Sequence, residues 1–287
     1  MAAPPRDGPP PEVHVFEPHR AGLPPLRPYV KGIWARRHFI YQMSRTSLRA
    51  QHFDTFFGQL WVVLNPLLLA MVYFFLVSVL RGGEHPRGTA SFLAYLVGGL
   101  FLFYFVRNSI GQGAGSIVGG GGLLMNTAFP RAILPLSSTV TALMLYIPTL
   151  VVYGAFHIAA GEPISPALLL LPLLFGLLMV FNLGLAMAAG ALTVYFRDTS
   201  SMLPYLLRIW LYLSPILWTI DQAPEVMQDL IFVNPLAPFL TAWHVITLDG
   251  VAPSATLWLG CLGWTIASVA FGGWFFLSRE REFAIRV

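Results

Sequence analysis

Charge is scarce in this chain. Of its 287 residues only 10% are Asp, Glu, Lys or Arg, while 56% are hydrophobic and the mean hydropathy is +0.68. An ordinary soluble domain carries about 25% charged residues, so a water-soluble globule is excluded and a lipid-embedded protein remains. Lysine is scarcer still: Lys31 is alone, and it stands in Tyr-Val-Lys-Gly-Ile rather than behind a glycine-rich loop. A P-loop needs a lysine there to reach the β/γ-phosphates, so ATP hydrolysis by that route is excluded, as is Schiff-base chemistry at any other position. A single cysteine, Cys261, rules out an intrachain disulfide and makes a thiolate cluster implausible; within its apolar run it reads as a small core residue. Clustered acids are also missing. There is no Asp-x-Asp and no His/Glu cluster of the kind that metal-dependent sugar chemistry would want.

What is present is proline at the start and long apolar runs after it. Residues 1–30 hold nine prolines and no apolar core, which predicts a disordered tail rather than a signal peptide. Six stretches near or above the ~20 residues needed to cross hydrocarbon follow, at 59–80, 91–117, 132–158, 166–196, 202–220 and 254–277. The expected fold is therefore all-α: an amphipathic helix over 31–52, then a six-span transmembrane unit over 53–287. Six spans put both termini on one side. Thirteen of the seventeen basic residues fall on that side, against only Arg81 and Arg87 opposite, so the positive-inside rule predicts a multi-pass protein of the cytoplasmic (inner) membrane with both termini cytoplasmic. No internal repeat is visible.

Within this frame several segments can carry function. In KGIWARRHFIYQMSRTSLRAQH, Ile33, Phe39, Ile40, Met43 and Ala50 share one helical arc, with Arg37, Arg45, Arg49 and His38 largely opposite. This pattern suits a helix lying in the interface, its basic face towards lipid headgroups or a docked partner, or a plain surface anchor. Gly119–Gly122 would end or kink a helix before Phe129-Pro130-Arg131, giving either a lever or a plain turn. Arg197 and Asp198 close the fourth span and could pair locally. Residues 220–252 are too apolar for open solvent and too broken by Pro224, Pro235 and Pro238 to span, which predicts short helices dipping back from the outer face as a gate or a packed cap. Arg107 and Arg208 lie inside spans, where an ionisable side chain is costly and an arginine fork suits an oxyanion. Asn108 adjoins the first. Phe103 and Tyr104 precede it in an aromatic run that could face lipid or a passage. Asn182 reads more readily as interhelical glue.

Three blocks resemble the membrane subunit of ABC-2 type exporters, the polysaccharide and polyol-phosphate permeases. FGQLWVVLNPLLLAMVYFFLV carries Gly58, Trp61, Asn65 and Pro66 of one signature; LLMNTAFPRAILPLSS carries Phe129, Pro130, Arg131, Leu134 and Pro135 of a second. YFRDTSSMLPYLLRIWLYLSPILW, with FVNPLAPF after it, carries the Phe-Arg-Asp turn, Ser214-Pro215-Ile216 and Asn234-Pro235-Leu236 of a third. The blocks keep the family order over most of residues 30–280, and the Gly119–Gly122 run is the departure from the pattern. The resemblance implies a homodimer of this chain with two copies of a separate ATPase subunit, which would bind the ATP and Mg; this chain would hold no cofactor. Residues 31–52, with Arg37, Arg45 and Arg49, would be the interface helix. Phe129, Pro130 and Arg131, with Arg197 and Asp198, would meet the ATPase. Residues 221–246, with Pro224, Asn234, Pro235 and Trp243, would form the outer gate. Arg107, Asn108, Tyr104, Phe103, Asn182 and Arg208 would be candidates for the substrate path. The implied cargo is a lipid-linked polysaccharide moving among membrane lipids, with no nucleic acid involved. The Ala/Gly/Pro/Arg-rich composition suggests a high-GC source and, among relatives, the galactan exporters of the mycobacterial cell wall.

Two other readings stand beside this one. An ABC-2 exporter of drugs or small lipids would share the frame. A membrane-embedded glycan-processing enzyme would need acids, and Asp221, Glu225 and Asp229, spaced by four, could be argued as a set; a solvated helix face is much the simpler account of them.

Overall fold

The structure, a computed structural model, describes residues 23–51, 58–80, 88–126, 129–219 and 233–287. Among them every regular element is helical: α1 Leu26–Ala35, α2 Arg37–Ala50, α3 Trp61–Leu80, α4 Thr89–Gly119, α5 Gly121–Asn126, α6 Ile133–Ala159, α7 Leu171–Tyr195, α8 Thr199–Leu213, α9 Ala237–Thr247, α10 Ala255–Arg279 and α11 Phe283–Arg286. The amphipathic element expected over 31–52 is two helices, and the first begins at Leu26, inside the stretch expected to be tail. Pro25 supplies the extended N-cap backbone (φ −61°, ψ 112°), and Pro28 falls in the first turn, where helical N–H groups have no intrahelical partner to lose. Nothing local demands the break at Arg36. It follows from packing, since Gly32 sits against the Pro130 ring and Tyr29 against Ala132.

Among the described residues five helical segments are long and apolar enough to cross a bilayer: Trp61–Val79, Thr89–Gly119, Ile133–Ala159, Pro166–Tyr195 and Ala255–Glu282. The sixth expected span, 202–220, is instead the 15-residue α8, which ends before Ser214-Pro215. At about 1.5 Å per residue it reaches some 22 Å, short of the ~30 Å hydrocarbon core. Yet α1, the 129–132 turn, the Tyr195–Asp198 turn and the C-terminus all gather at one end of the bundle, joined by contacts among Tyr29, Ala132, Arg131, Tyr195 and Glu282. We call this the basic end. Both described termini lie at this end. α8 climbs to Leu213; α9 starts beside Phe181 in the middle of α7 and leads to Gly250, which packs on Pro163 and Ser165 at the far end.

The central pillar is α4, with 72% of its most apolar window enclosed against 28–33% for the other long helices. The outer helices expose Val79, Val151, Leu169 and Phe271, as suits a surface bathed in lipid. Lipid tails are as apolar as leucine, so burial alone does not drive these helices together; close backbone approach does. Gly113 of α4 lies so near Ala186 of α7 that a Cβ would come within 2.5 Å of the alanine's own Cβ. Gly184 of α7 meets Ser268 and Gly272 of α10 in the same way. A bond of 2.7 Å from Ser268 Oγ to the Phe181 carbonyl locks this second seam.

Candidate functional site

At the basic end, three parts of the chain close on Glu280. The Arg131 backbone N–H donates to its carboxylate at 2.7 Å, and the Arg131 guanidinium donates to the Glu280 carbonyl. The Tyr29 hydroxyl bonds the same carboxylate while accepting from the Ala132 N–H at 3.2 Å. Burial, reinforced by the charge of Glu280, holds the Tyr29 hydroxyl protonated well above the ordinary tyrosine range. The turn bearing Phe129, Pro130 and Arg131 is thus gripped by the N-terminal helix on one side and the C-terminal turn on the other. Phe129 also meets Phe39 of α2, with ring centroids 6.3 Å apart. Against α6, α2 buries Ile40 and Ser44; the Ser44 hydroxyl donates to the Ile40 and Ser137 carbonyls, both at 2.9 Å. Arg37, Arg45 and Arg49 stay exposed, opposite this packed stripe. Leu48 is half-buried and belongs to the stripe, whereas Ala50 and Phe39, expected on the apolar arc, are exposed. Arg197 and Asp198 are both exposed and make no ion pair with each other, so the local pairing expected for them is not formed.

The glycine run resolves into distinct parts. α4 ends at Gly119, Gly120 turns, and α5 starts at Gly121. At Gly120 a Cβ would lie 2.9 Å from Leu134 Cδ1 and 3.0 Å from the Ser116 carbonyl; at Gly121 it would strike Val287 at 2.6 Å. Gly119 and Gly122 face open space.

Between α4 and α8, towards the basic end, lies a polar groove of about 280 Å³ lined by Arg107, Asn108, Gly111 and Gln112 on one wall and Ser200, Leu203, Pro204 and Leu207 on the other. Residues i, i+1, i+4 and i+5 of α4 form one face of the helix, which is why the four line up. Towards the far end the lining turns aromatic. Phe103 meets Trp210 edge-on at 6.5 Å, and the Tyr73 and Tyr212 hydroxyls bond each other at 3.1 Å. The charges of Arg107 and Arg208 both act on the Tyr73 hydroxyl. Four path candidates therefore fall in one region of α4 and α8: Arg107, Asn108, Phe103 and Arg208. Tyr104 is half-buried beside them, and Asn182 does not join them. It is wholly buried in α7, its amide without a hydrogen-bond partner among the described residues.

The interruption between α8 and α9 is held by Asn234. Its Oδ1 accepts from Trp210 Nε1 at 2.8 Å and from the Leu236 N–H at 3.1 Å; its Nδ2 donates to the Leu213 carbonyl at 3.1 Å and to Ser214 Oγ at 3.0 Å. Pro235 completes the turn into α9. The Tyr95 hydroxyl lies between the carbonyls of Pro215 and Trp218, at 2.8 and 2.9 Å, and its ring stacks on His244 at 3.9 Å. Trp243, expected in an outer gate, is instead core: it is 1% exposed and packs on Tyr153, Phe175 and the bare backbone of Gly98. Pro224, with the rest of 220–232, lies outside the described residues. Sequence reasoning missed Tyr29, Glu280, Trp210, Tyr95 and His244. Two of them left a signal: His244 is an ionisable group in the apolar run Ala-Trp-His-Val-Ile, and Glu280 is an acid inside a basic tail.

Among the described residues no three His, Cys, Asp or Glu side chains are grouped to hold a metal ion. Comparison with known proteins agrees with the geometry. An O-antigen export system permease of Myxococcus xanthus is 26% identical over 257 residues, covering 89% of this chain and 97% of that protein. One from Klebsiella pneumoniae is 27% identical over 210 residues, covering 73% of this chain and 80% of its own length. Residues 38–248, which run from α2 through α9 and include the groove, the Phe129–Arg131 turn and the Asn234 interruption, match the ABC-2 type transporter family, and the chain belongs to it.

Proposed function

We propose that this chain is the membrane subunit of an exporter that carries a lipid-linked polysaccharide out of the cytoplasm, powered by ATP hydrolysis on a separate subunit. The observation that carries this reading is the end-to-end similarity to an O-antigen export permease, which spans nearly the whole of both proteins. The polar groove running into an aromatic column supports it, since aromatic faces suit the C–H faces of sugar rings by dispersion. Two copies of the chain form the pore, and two ATPase subunits dock at the basic end, against the exposed Arg37, Arg45, Arg49 and Arg197 and the gripped Phe129–Arg131 turn. The clustering of arginine there supports a cytoplasmic position for that end, by the positive-inside rule. Asn234 and Pro235 hold the outer closure. Within this class we take the cargo to be galactan, on the Ala/Gly/Pro/Arg-rich composition that points to a high-GC source.

Depleting the chain in its native cells and analysing the membrane-bound glycan pool by mass spectrometry tests this directly. A galactose polymer on lipid should accumulate on the cytoplasmic side. Accumulation of a different lipid-linked sugar would overturn galactan and leave export standing. A glycan pool unchanged in amount and sidedness would overturn export itself. Purification in mild detergent should bring down a partner with a Walker A motif in equal amount.

A further inference from the structure

Two arginines stand at membrane depth on helices that offer them no acid. Arg107 is twelve residues before the end of α4, and Arg208 is the tenth residue of α8. None of the thirteen acidic residues of the chain lies on α3, α4 or α8, and among the described residues neither arginine makes an ion pair. An uncompensated guanidinium inside a bilayer costs several kcal/mol, so the arrangement demands water or an anion. The groups around it are donors: the Tyr73–Tyr212 hydroxyl pair, the Asn108 amide and, nearer the basic mouth of the groove, Ser200. Forked guanidinium donors with hydroxyls beside them match the oxygens of a phosphate rather than a sugar or a metal ion.

The geometry points to a subsite for the phosphate or diphosphate headgroup of a lipid, with the anion between Arg107 and Arg208 and its acyl or prenyl chain against the exposed apolar flank of α8. Leu206, Ile209 and Leu213 on that flank are all more than half exposed. The groove opens near the first turn of α8, so such a headgroup can enter from the leaflet at the basic end without crossing hydrocarbon. This inference rests on the export reading for its cargo, since the phosphate can be the link between glycan and lipid or the headgroup of a bilayer phospholipid. The chemistry at the arginines is the same in both cases.

The test uses the permease with its ATPase in nanodiscs of neutral lipid, titrated with fluorescent undecaprenyl diphosphate and, separately, undecaprenol. The wild type should bind the diphosphate at least ten-fold more tightly than the alcohol. R107Q and R208Q should each lose about ten-fold, and R107K less, because it keeps the charge and loses the fork. Competition by phosphatidylglycerol at equal potency would assign the subsite to bilayer lipid; failure to compete would assign it to the cargo. Equal binding of alcohol and diphosphate, or unchanged binding in folded R107Q/R208Q, would overturn the subsite. Binding is read without transport, so a failure of the export reading would show as intact diphosphate binding beside an unaltered cellular glycan pool.

Discussion

The Arg131 N–H and the Glu280 carboxylate, 149 residues apart in the chain, meet in a 2.7 Å hydrogen bond that joins the start of α6 to the end of α10. Because Tyr29 binds the same carboxylate, the N-terminal helix, the turn before α6 and the C-terminus are tied at one point. Glu280 is only 9% exposed, so its loss strands two donors in a space that water reaches poorly. Removing a charged acceptor from a buried bond costs about 1.5–3 kcal/mol. Glu280→Ala should therefore lower the thermal midpoint of the purified protein by roughly 3–10 °C. Glu280→Gln should lower it much less, because its amide oxygen still accepts from Arg131. Equal midpoints for both variants and wild type would remove the clasp from the account of stability.

The four consecutive glycines should differ sharply in tolerance. Gly120→Ala drives a methyl into Leu134 and the Ser116 carbonyl, while Gly122→Ala meets nothing within 4 Å. Overpacking of this kind costs about 1–3 kcal/mol, and here it falls on the joint between α4 and α5. Gly120→Ala should cut export several-fold in a complex that still assembles with its ATPase, and Gly122→Ala should export normally. Vesicle-based export assays on the two variants decide the matter. Similar behaviour of both would mean that the run serves as a flexible tether and not as a packed joint.

Asn234 makes four hydrogen bonds across the break between α8 and α9, and its two ends can be tested apart. Asn234→Asp keeps acceptance from Trp210 and Leu236 and loses donation to the Leu213 carbonyl and Ser214 Oγ; Asn234→Ala loses all four. A group left unpaired out of water's reach costs about 1–3 kcal/mol, and less at the exposed Leu213 carbonyl. Stability should fall in the order wild type, Asn234→Asp, Asn234→Ala. In proteoliposomes the alanine variant should also raise passive leakage of a small hydrophilic dye, since the four bonds it loses hold the start of α9 against the end of α8. A stable, tight Asn234→Ala protein would show that Tyr95, with its bonds to Pro215 and Trp218, closes the break without help.

Much of this arrangement is legible in the sequence, for definite reasons. Apolar runs of 20 residues or more announce the five long helices, and Gly120 and Pro130 punctuate the connection from α4 to α6. Arg107 and Arg208 stand out because lipid makes charge expensive. What is hidden depends on partners distant in the chain. The 202–220 stretch reads as a span by hydropathy, yet it stops at Leu213, where Asn234 captures the freed carbonyl. Trp243 looks like a gate residue by its neighbours in sequence, and only the absence of a side chain at Gly98 makes room for it in the core. Leu26–Val30 reads as tail because its prolines are counted as breakers, although Pro25 and Pro28 occupy positions that start a helix.

Arg131 offers the most direct test of coupling. Its backbone N–H bonds Glu280 whatever the side chain, whereas its guanidinium bonds the Glu280 carbonyl. Arg131→Ala thus keeps half the clasp and leaves the α4–α7 and α7–α10 glycine seams untouched, so the protein should fold and assemble. What it loses is the rigid link by which movement of the Phe129–Arg131 turn is passed to the end of α10. ATP hydrolysis by the reconstituted complex should stay within about two-fold of wild type while export per ATP falls about ten-fold, a loss worth about 1.4 kcal/mol of coupling. Arg131→Lys, which can still reach the Glu280 carbonyl, should recover part of it. Export that keeps pace with hydrolysis in Arg131→Ala would show that the turn is merely a fastening, and that force from the ATPase enters through the exposed arginines of α2.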